Sequence, residues 1–272
     1  MSATLPTLPS PAPLAGPTLP RPSLRFLPVY RRNLLVWRKL ALPSVMANVA
    51  DPLITLVAFG YGLGALLPMV GGVRYIEFLA AGALCMSAMM SASFEALYSA
   101  FSRMHVQRTW ESIMNAPLSL DDVLVAEWLW AATKSLMAAV AIVLVVMALG
   151  ISRAPTLVLV IPVAVLTGLC FSALGLCFNA LAKGYDFFSY YFTLVLTPMV
   201  FVSGVYYPQD ALPAWLKALA QWLPLSAAVE LARPLVLGEW PARVVVPVLV
   251  LLAYTGAGFM LARTLTRRRF RA

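Results

Sequence analysis

The stretch TLVLVIPVAVLTGLCFSALGLCFNALA, residues 156–182, carries no charged side chain. An α-helix needs roughly 20 apolar residues to cross the hydrocarbon core of a bilayer, and this run is longer. Working outward from it, comparable apolar runs lie at about 43–67, 76–101, 122–150, 187–206 and 242–263. Six such runs predict an all-α integral membrane protein with six transmembrane helices. The composition agrees. Of 272 residues, 61% are hydrophobic and 11% charged, and the mean hydropathy is +0.85. A soluble helical protein would need far more polar surface to cover six such helices.

Basic residues orient the helices. An even number of spans puts both termini on one side. That side would hold Arg21, Arg25, Arg31, Arg32, Arg38, Lys39, Arg103, Arg108, Lys183 and the arginines at 263, 267, 268, 269 and 271. The other side would hold only Arg74, Arg153, Lys217, Arg233 and Arg243. Positive residues stay cytoplasmic, so both termini are expected there. The net charge of +9 then reflects topology and attraction to anionic lipid headgroups rather than nucleic-acid binding.

Four segments divide the chain. Residues 1–22 are rich in Pro, Ser, Thr and Ala and lack the basic start and apolar core of a signal peptide. They read as a disordered tail. Residues 23–42 interleave Leu24, Leu27, Tyr30, Leu34, Leu35 and Trp37 with arginines. This suits a cytoplasmic interfacial helix with its apolar side in the lipid boundary. Residues 43–265 form the six-span domain, and 266–272 a basic cytoplasmic tail. Asp51-Pro52 interrupts the first span, as a cap for a restarting helix or as a tolerated kink.

Enzyme chemistry of its own is not evident. Cys85, Cys170 and Cys177 fall inside spans and read as packing residues, His105 is the single histidine, and no metal-ligating cluster or phosphate loop stands out. Energy for transport would have to come from another subunit or from an ion.

The loop RMHVQRTWESIMNAPLSLDD, residues 103–122, is the most specific feature. Val106, Trp110 and Ile113 lie at helical spacing, with Arg103, Gln107, Arg108 and Glu111 on other faces. A short amphipathic cytoplasmic helix is expected, stopped by Pro117. Such a helix can dock in a groove of a partner, with Trp110 as the anchor. Ser119 and Asp122 suit the cap of the third span.

Ionisable groups at membrane depth are expensive and need partners or water. Glu95, Glu127 and Lys134 lie inside spans two and three. Ser87, Ser91, Glu95, Tyr98 and Ser102 recur every three or four residues, on one stripe. Two readings stay open. The stripe lines a substrate path or gate, or the charges merely satisfy one another, with Lys134 and then Arg103 as partners for Glu95. Beyond Tyr206, Leu212, Trp215, Leu216, Leu219, Trp222 and Leu223 form an apolar face. A second helix from about Ser226 would pair Glu230 with Arg233 at i,i+3, bent or ended by Pro234. These short re-entrant or interfacial helices sit before the last span, at the outer headgroup level. They would shape a cargo exit or simply complete the outer packing.

The run from Phe94 to Leu136 around this loop resembles the permease subunits of ABC-type-2 exporters. The segment SGVYYPQDALPAWLKALAQWLPLSAAVELARPLVLG, residues 203–238, is similar to the NodJ-like branch, the lipo-oligosaccharide (nodulation-factor) exporter permeases. That branch often carries a histidine where this chain has Ala227 or Ala228, so no role of that histidine carries over. The resemblance implies an inner-membrane homodimer clamped onto two copies of a separate ATPase. ATP and magnesium would bind to that partner, and no cofactor to this chain. It would make Met104 to Ile113, His105 included, the helix that couples ATPase closure to transport. Arg31, Arg32, Trp37, Arg38 and Lys39 would form a second contact. The cargo would be amphipathic: a lipo-oligosaccharide, a polysaccharide or glycolipid, or a hydrophobic drug. An ion-coupled secondary transporter and a non-transporting membrane scaffold are the alternatives from other classes.

Overall fold

The computed structural model describes residues 24–271, apart from the side chains at 47, 48, 51 and 52. The expected tail over 1–22, with Arg21, lies outside these residues. So does the side-chain role offered for Asp51-Pro52.

The first helix, α1 (Phe26–Arg38), turns directly into α2 (Ala41–Thr55). That helix continues as a π-turn over Leu56–Tyr61 and as α3 (Gly62–Leu66). A two-stranded hairpin, β1 (Met69–Val70) and β2 (Val73–Arg74), comes next. Gly71 and Gly72 close it with φ of +61° and +84°, angles that favour glycine. Helix α4 (Tyr75–Phe94) then runs on through π-turns over Glu95–Ser99 and Ser102–Val106. The short α5 (Thr109–Met114) leads to α6 (Leu120–Ala148). Ser119 and Asp122 make a reciprocal capping box at the start of α6. Helix α7 (Val160–Leu181) is followed by α8 (Asp186–Tyr190), a π-turn over Tyr191–Leu196 and α9 (Thr197–Val202). Two short helices, α10 (Ala214–Ala220) and α11 (Pro224–Leu237), precede the closing α12 (Val245–Arg269).

Among the described residues, four helical stretches are long and apolar enough to cross a membrane: Tyr75–Val106, Leu120–Ala148, Pro155–Leu181 and Val245–Arg269. The expected first and fifth spans contain shorter apolar helices, Leu53–Leu66 and Asp186–Val202. Asp186–Val202 falls short of the roughly 20 residues that a perpendicular span needs, whereas Leu53–Leu66 is the end of a helical stretch that runs on from Ala41.

Helix α7 packs on α4, α6 and α12. Small residues set the spacing. A Cβ on Gly168 would lie 2.5 Å from Ser135 Cβ, and one on Gly175 would lie 2.9 Å from Ala96 Cβ. Without these glycines α7 would stand further from α6 and α4. Leu144, Leu194 and Leu249 are among the large apolar side chains left facing outward, as lipid-facing positions should be.

One end of the bundle gathers the basic residues. Asp121, at the start of α6, accepts from Arg263 Nε at 3.0 Å and Arg267 Nε at 2.9 Å. Arg269 donates to the terminal carbonyls of α7, at 3.0 Å to Asn179 O and 2.6 Å to Ala182 O. A cation at a helix C-terminus suits the dipole and satisfies orphan carbonyls. Helix α12 runs to Arg269, so most of the basic segment 266–272 is helical.

Two further expectations change. Tyr30 and Trp37 of α1 meet the Trp130 ring of α6 at centroid distances of 5.9 and 6.3 Å. They face protein, and Leu27, Leu35 and Val36 face outward instead. Pro234 does not end α11, which runs to Leu237 and is closed by Gly238 at φ +89°.

Candidate functional site at the basic end

The most concentrated chemistry lies where α4, α5 and α6 meet. Asn179 of α7 donates its amide to Ala96 O at 2.8 Å. That carbonyl lies in the Glu95–Ser99 π-turn, so α7 supplies a bond as the ladder loosens. Gly175, one turn earlier on α7, permits the approach. Each π-turn adds a residue and rotates the downstream side chains by about 100°. The even stripe expected from Ser87 to Ser102 is thus broken at Glu95.

The rotation brings Arg103 inward. Its Nε donates to both Glu127 oxygens at 2.9 and 3.1 Å, and its Nη2 to Glu95 Oε1 at 2.9 Å. Indole groups complete the cluster. Trp110 of α5 donates to Glu127 Oε1 at 3.2 Å, and Trp130 to Glu95 Oε1 at 2.9 Å. Glu127 is 1% exposed and Glu95 8%. Arg103, Trp110 and Trp130, from three elements, thus share two buried carboxylates.

This geometry corrects the picture of the loop. Trp110 is buried, 1% exposed, and stacks on Phe270 at 6.2 Å. It is not presented to a partner. Arg103 and Met104 also face inward. His105, Val106, Gln107, Arg108 and Glu111 are exposed, and Ile113 is half-buried. Nor is the loop helix continuous from Met104. Arg108 takes a left-handed φ of +49°, and α5 starts after it. The helix-wheel spacing assumed one unbroken helix, which the turn at Arg108 prevents.

Lys134 does not pair with Glu95. Its Nζ donates to Ser44 Oγ at 2.7 Å and lies 5.4 Å from the Trp37 ring centroid. Ser87 and Ser91 are half-buried further up α4, apart from the cluster. Tyr98 stacks on Phe94 at 4.6 Å.

A cavity of about 400 Å³ opens beside the cluster, with Arg32, Trp37, Glu95, Tyr98 and Arg103 among its walls. Burial and the nearby Arg103 charge both lower the Arg32 pKa, while Glu127 opposes them. Arg31, Arg38 and Lys39 are exposed on the outer side of α1.

At the opposite end, Trp215 and Trp222 are 70% and 62% exposed. The expected Glu230–Arg233 pair is absent among the described residues. Glu230 points outward, whereas Arg233 donates to Gly204 O at 2.5 Å and covers the Phe78 ring at 3.7 Å. Helix α11 buries its Arg233 side, so the guanidinium finds a backbone carbonyl and a ring face.

The sequence reading missed Asp121, Asn179 and the Arg263–Arg267–Arg269 set. A signal existed in the last, since two arginines at i,i+4 face one carboxylate.

The family model of ABC-2 type transporters matches residues 26–237. The chain belongs to that family. It is the transmembrane permease subunit of an ABC exporter. It is similar to nodulation protein J of Rhizobium leguminosarum bv. viciae, at 44% identity over 252 residues, 93% of this chain and 97% of that protein. Nodulation protein J of Rhizobium leguminosarum bv. trifolii is 45% identical, over 92% of this chain and 96% of that protein. The Rhizobium meliloti protein of the same name is 41% identical over the same shares.

Proposed function

We propose that this ABC-2 permease exports an amphipathic cargo from the cytoplasm or inner leaflet, driven by a separate ATPase docked on α5. The carrying observation is the bond from Trp110 to the buried Glu127–Arg103–Glu95 cluster. A push on the exposed Arg108 and Glu111 side of α5 would reach α4 and α6 through that bond, with little slack. Exposed Arg31, Arg38 and Lys39 on α1 supply the second contact, and ATP with magnesium binds to the partner. The permease works as a homodimer in the inner membrane, crossing it six times with both termini cytoplasmic. The cargo is a lipo-oligosaccharide, a polysaccharide or glycolipid, or a hydrophobic drug, and Trp215 and Trp222 flank its exit.

Two experiments test this reading. Reversing charge at the exposed Arg108 and Glu111 together should release the ATPase in co-purification while the permease still inserts. Unchanged association and unchanged transport would refute α5 as the docking element. For topology, a cysteine at Asp210 should react with an impermeant thiol reagent from outside, and one at Arg268 only after the membrane is opened. The reverse pattern overturns the orientation.

A further inference from the structure

We propose that Asn179 is a positioning residue for coupling: its side-chain amide holds the Glu95–Ser99 π-turn and so aims Arg103 at Glu95 and Glu127. This deepens the exporter reading and rests on it, since that reading routes the push of the ATPase through the Arg103 cluster.

The backbone shows what the amide replaces. In an α-helix the Ala100 N–H would bond to Ala96 O, four residues back. Here it reaches to Glu95 O, five back, so Ala96 O loses that partner. Asn179 Nδ2 takes the place at 2.8 Å and lies 3.4 Å from Leu97 O. The donor comes from α7, where Gly175 lets the two helices close to this distance. A Cβ there would stand 2.9 Å from Ala96 Cβ.

The amide is also costly to keep. Asn179 is 1% exposed, and its Oδ1 has no hydrogen-bond partner among the described residues. An apolar side chain would spare α7 that unpaired oxygen. The residue lies in the uncharged run 156–182, and a polar group kept at such a cost in a membrane helix points to function. Its main chain is fixed from the other side, because Arg269 Nη1 donates to Asn179 O at 3.0 Å. The amide is thus set between α12 and the π-turn.

Helical register follows from this bond. Without the amide the turn closes to α-helix, and the residues after Ser99 rotate by about 100°. Ser102 then points where Arg103 points now. Arg103 leaves the two carboxylates, and the path from Trp110 through Glu127 to α4 is cut.

The test uses the full permease with its ATPase in proteoliposomes. The native thiols of Cys85, Cys170 and Cys177 are buried, so Ser102→Cys, at a half-buried position in the cavity wall, reports register by maleimide labelling. Adding Asn179→Leu, which keeps the volume but has no donor, should slow this labelling several-fold as the position turns inward. In the absence of the reporter, Asn179→Leu should lower the export of a fluorescent lipo-oligosaccharide per ATP hydrolysed several-fold. Deleting Ser99 as well removes the extra residue of the turn. That deletion should restore both readings, because a plain α-helix then aims Arg103 at the carboxylates. Asn179→Ala decides the matter if Asn179→Leu misfolds. Faster labelling would mean that this end has merely loosened, and overturns the proposal. Unchanged export per ATP overturns it too, as does a loss that the Ser99 deletion does not reverse. Labelling is read without ATP, so the expected labelling pattern in a permease whose parent form exports nothing counts against the exporter reading instead.

Discussion

Arg103 and Arg233 are both arginines turned into the bundle, one at each end, and they are held in opposite ways. Arg103 bonds two carboxylates that themselves accept from two indoles. Arg233 has a carbonyl and the face of Phe78, and its Nε has no hydrogen-bond partner. The first is a cross-linked joint in which every member depends on the others. The second is a single clasp between α11, the turn at Gly204 and α4. A buried ion pair is costly to break by halves, whereas a lone buried cation can give way to an apolar residue of similar size. The basic end should therefore be brittle to single substitutions and the opposite end tolerant of them.

The sharpest break of that comparison is Glu127→Ala. It strands Trp110 and leaves Arg103 with Glu95 as its one carboxylate, and should cost about 3 kcal/mol, read as a large loss of thermal stability in detergent. Arg103→Met should do comparable damage, because it leaves two buried carboxylates unpaired. A mild effect from either would show that water reaches the cluster.

Trp110→Phe comes next. It keeps the ring against Phe270 but removes a bond to a carboxylate, at about 1.5–3 kcal/mol. Transport per ATP hydrolysed should fall more than ATP hydrolysis itself. A parallel fall in both would make Trp110 purely structural.

Tolerance at the opposite end has one exception. A Cβ on Gly82 would lie 2.5 Å from Val205 O, a backbone atom that cannot swing aside. Gly82→Ala should cost about 1–3 kcal/mol, measured by thermal unfolding. Arg233→Met should stay within about 1 kcal/mol of the parent protein. A loss as large as that of Arg103→Met would erase the contrast between the two ends.

The smallest effect is expected at the Lys217–Asp210 pair, whose side chains are 53% and 83% exposed. The hydrogen bond from Lys217 lowers the Asp210 pKa. Any stability it gives is present above the ordinary carboxylate range and lost as pH falls through the lowered value. Solvent screening should make Lys217→Ala indistinguishable from the parent at neutral pH.

Much of the fold was legible because bilayer thickness imposes a length on apolar runs. Residues 156–182 announce a helix in composition alone, and α7 with its preceding turn occupies that run to within a residue or two. Local pattern likewise placed the loop over 103–122 and the cap at Ser119. The candidate site was legible only as an inventory. Glu95, Glu127, Lys134 and Arg103 were conspicuous as charges at membrane depth, but not as partners. Periodicity assumes 3.6 residues per turn throughout, and two π-turns in the α4 helix violate that. Trp110 shows the same limit: an amphipathic pattern says which face is apolar, not whether protein or a partner covers it.

The sequence by itself determined the class, since the length of its apolar runs fixes a helical membrane protein without any contact being known. Only the tertiary structure decided which charges neutralise which. Asn179 bonding the Ala96 carbonyl, the π-turn there, and the left-handed Arg108 set the directions of Arg103 and Trp110, and direction depends on neighbours that are distant in sequence. The cavity beneath α1 is likewise a property of several elements meeting, with walls drawn from residues 32 to 185.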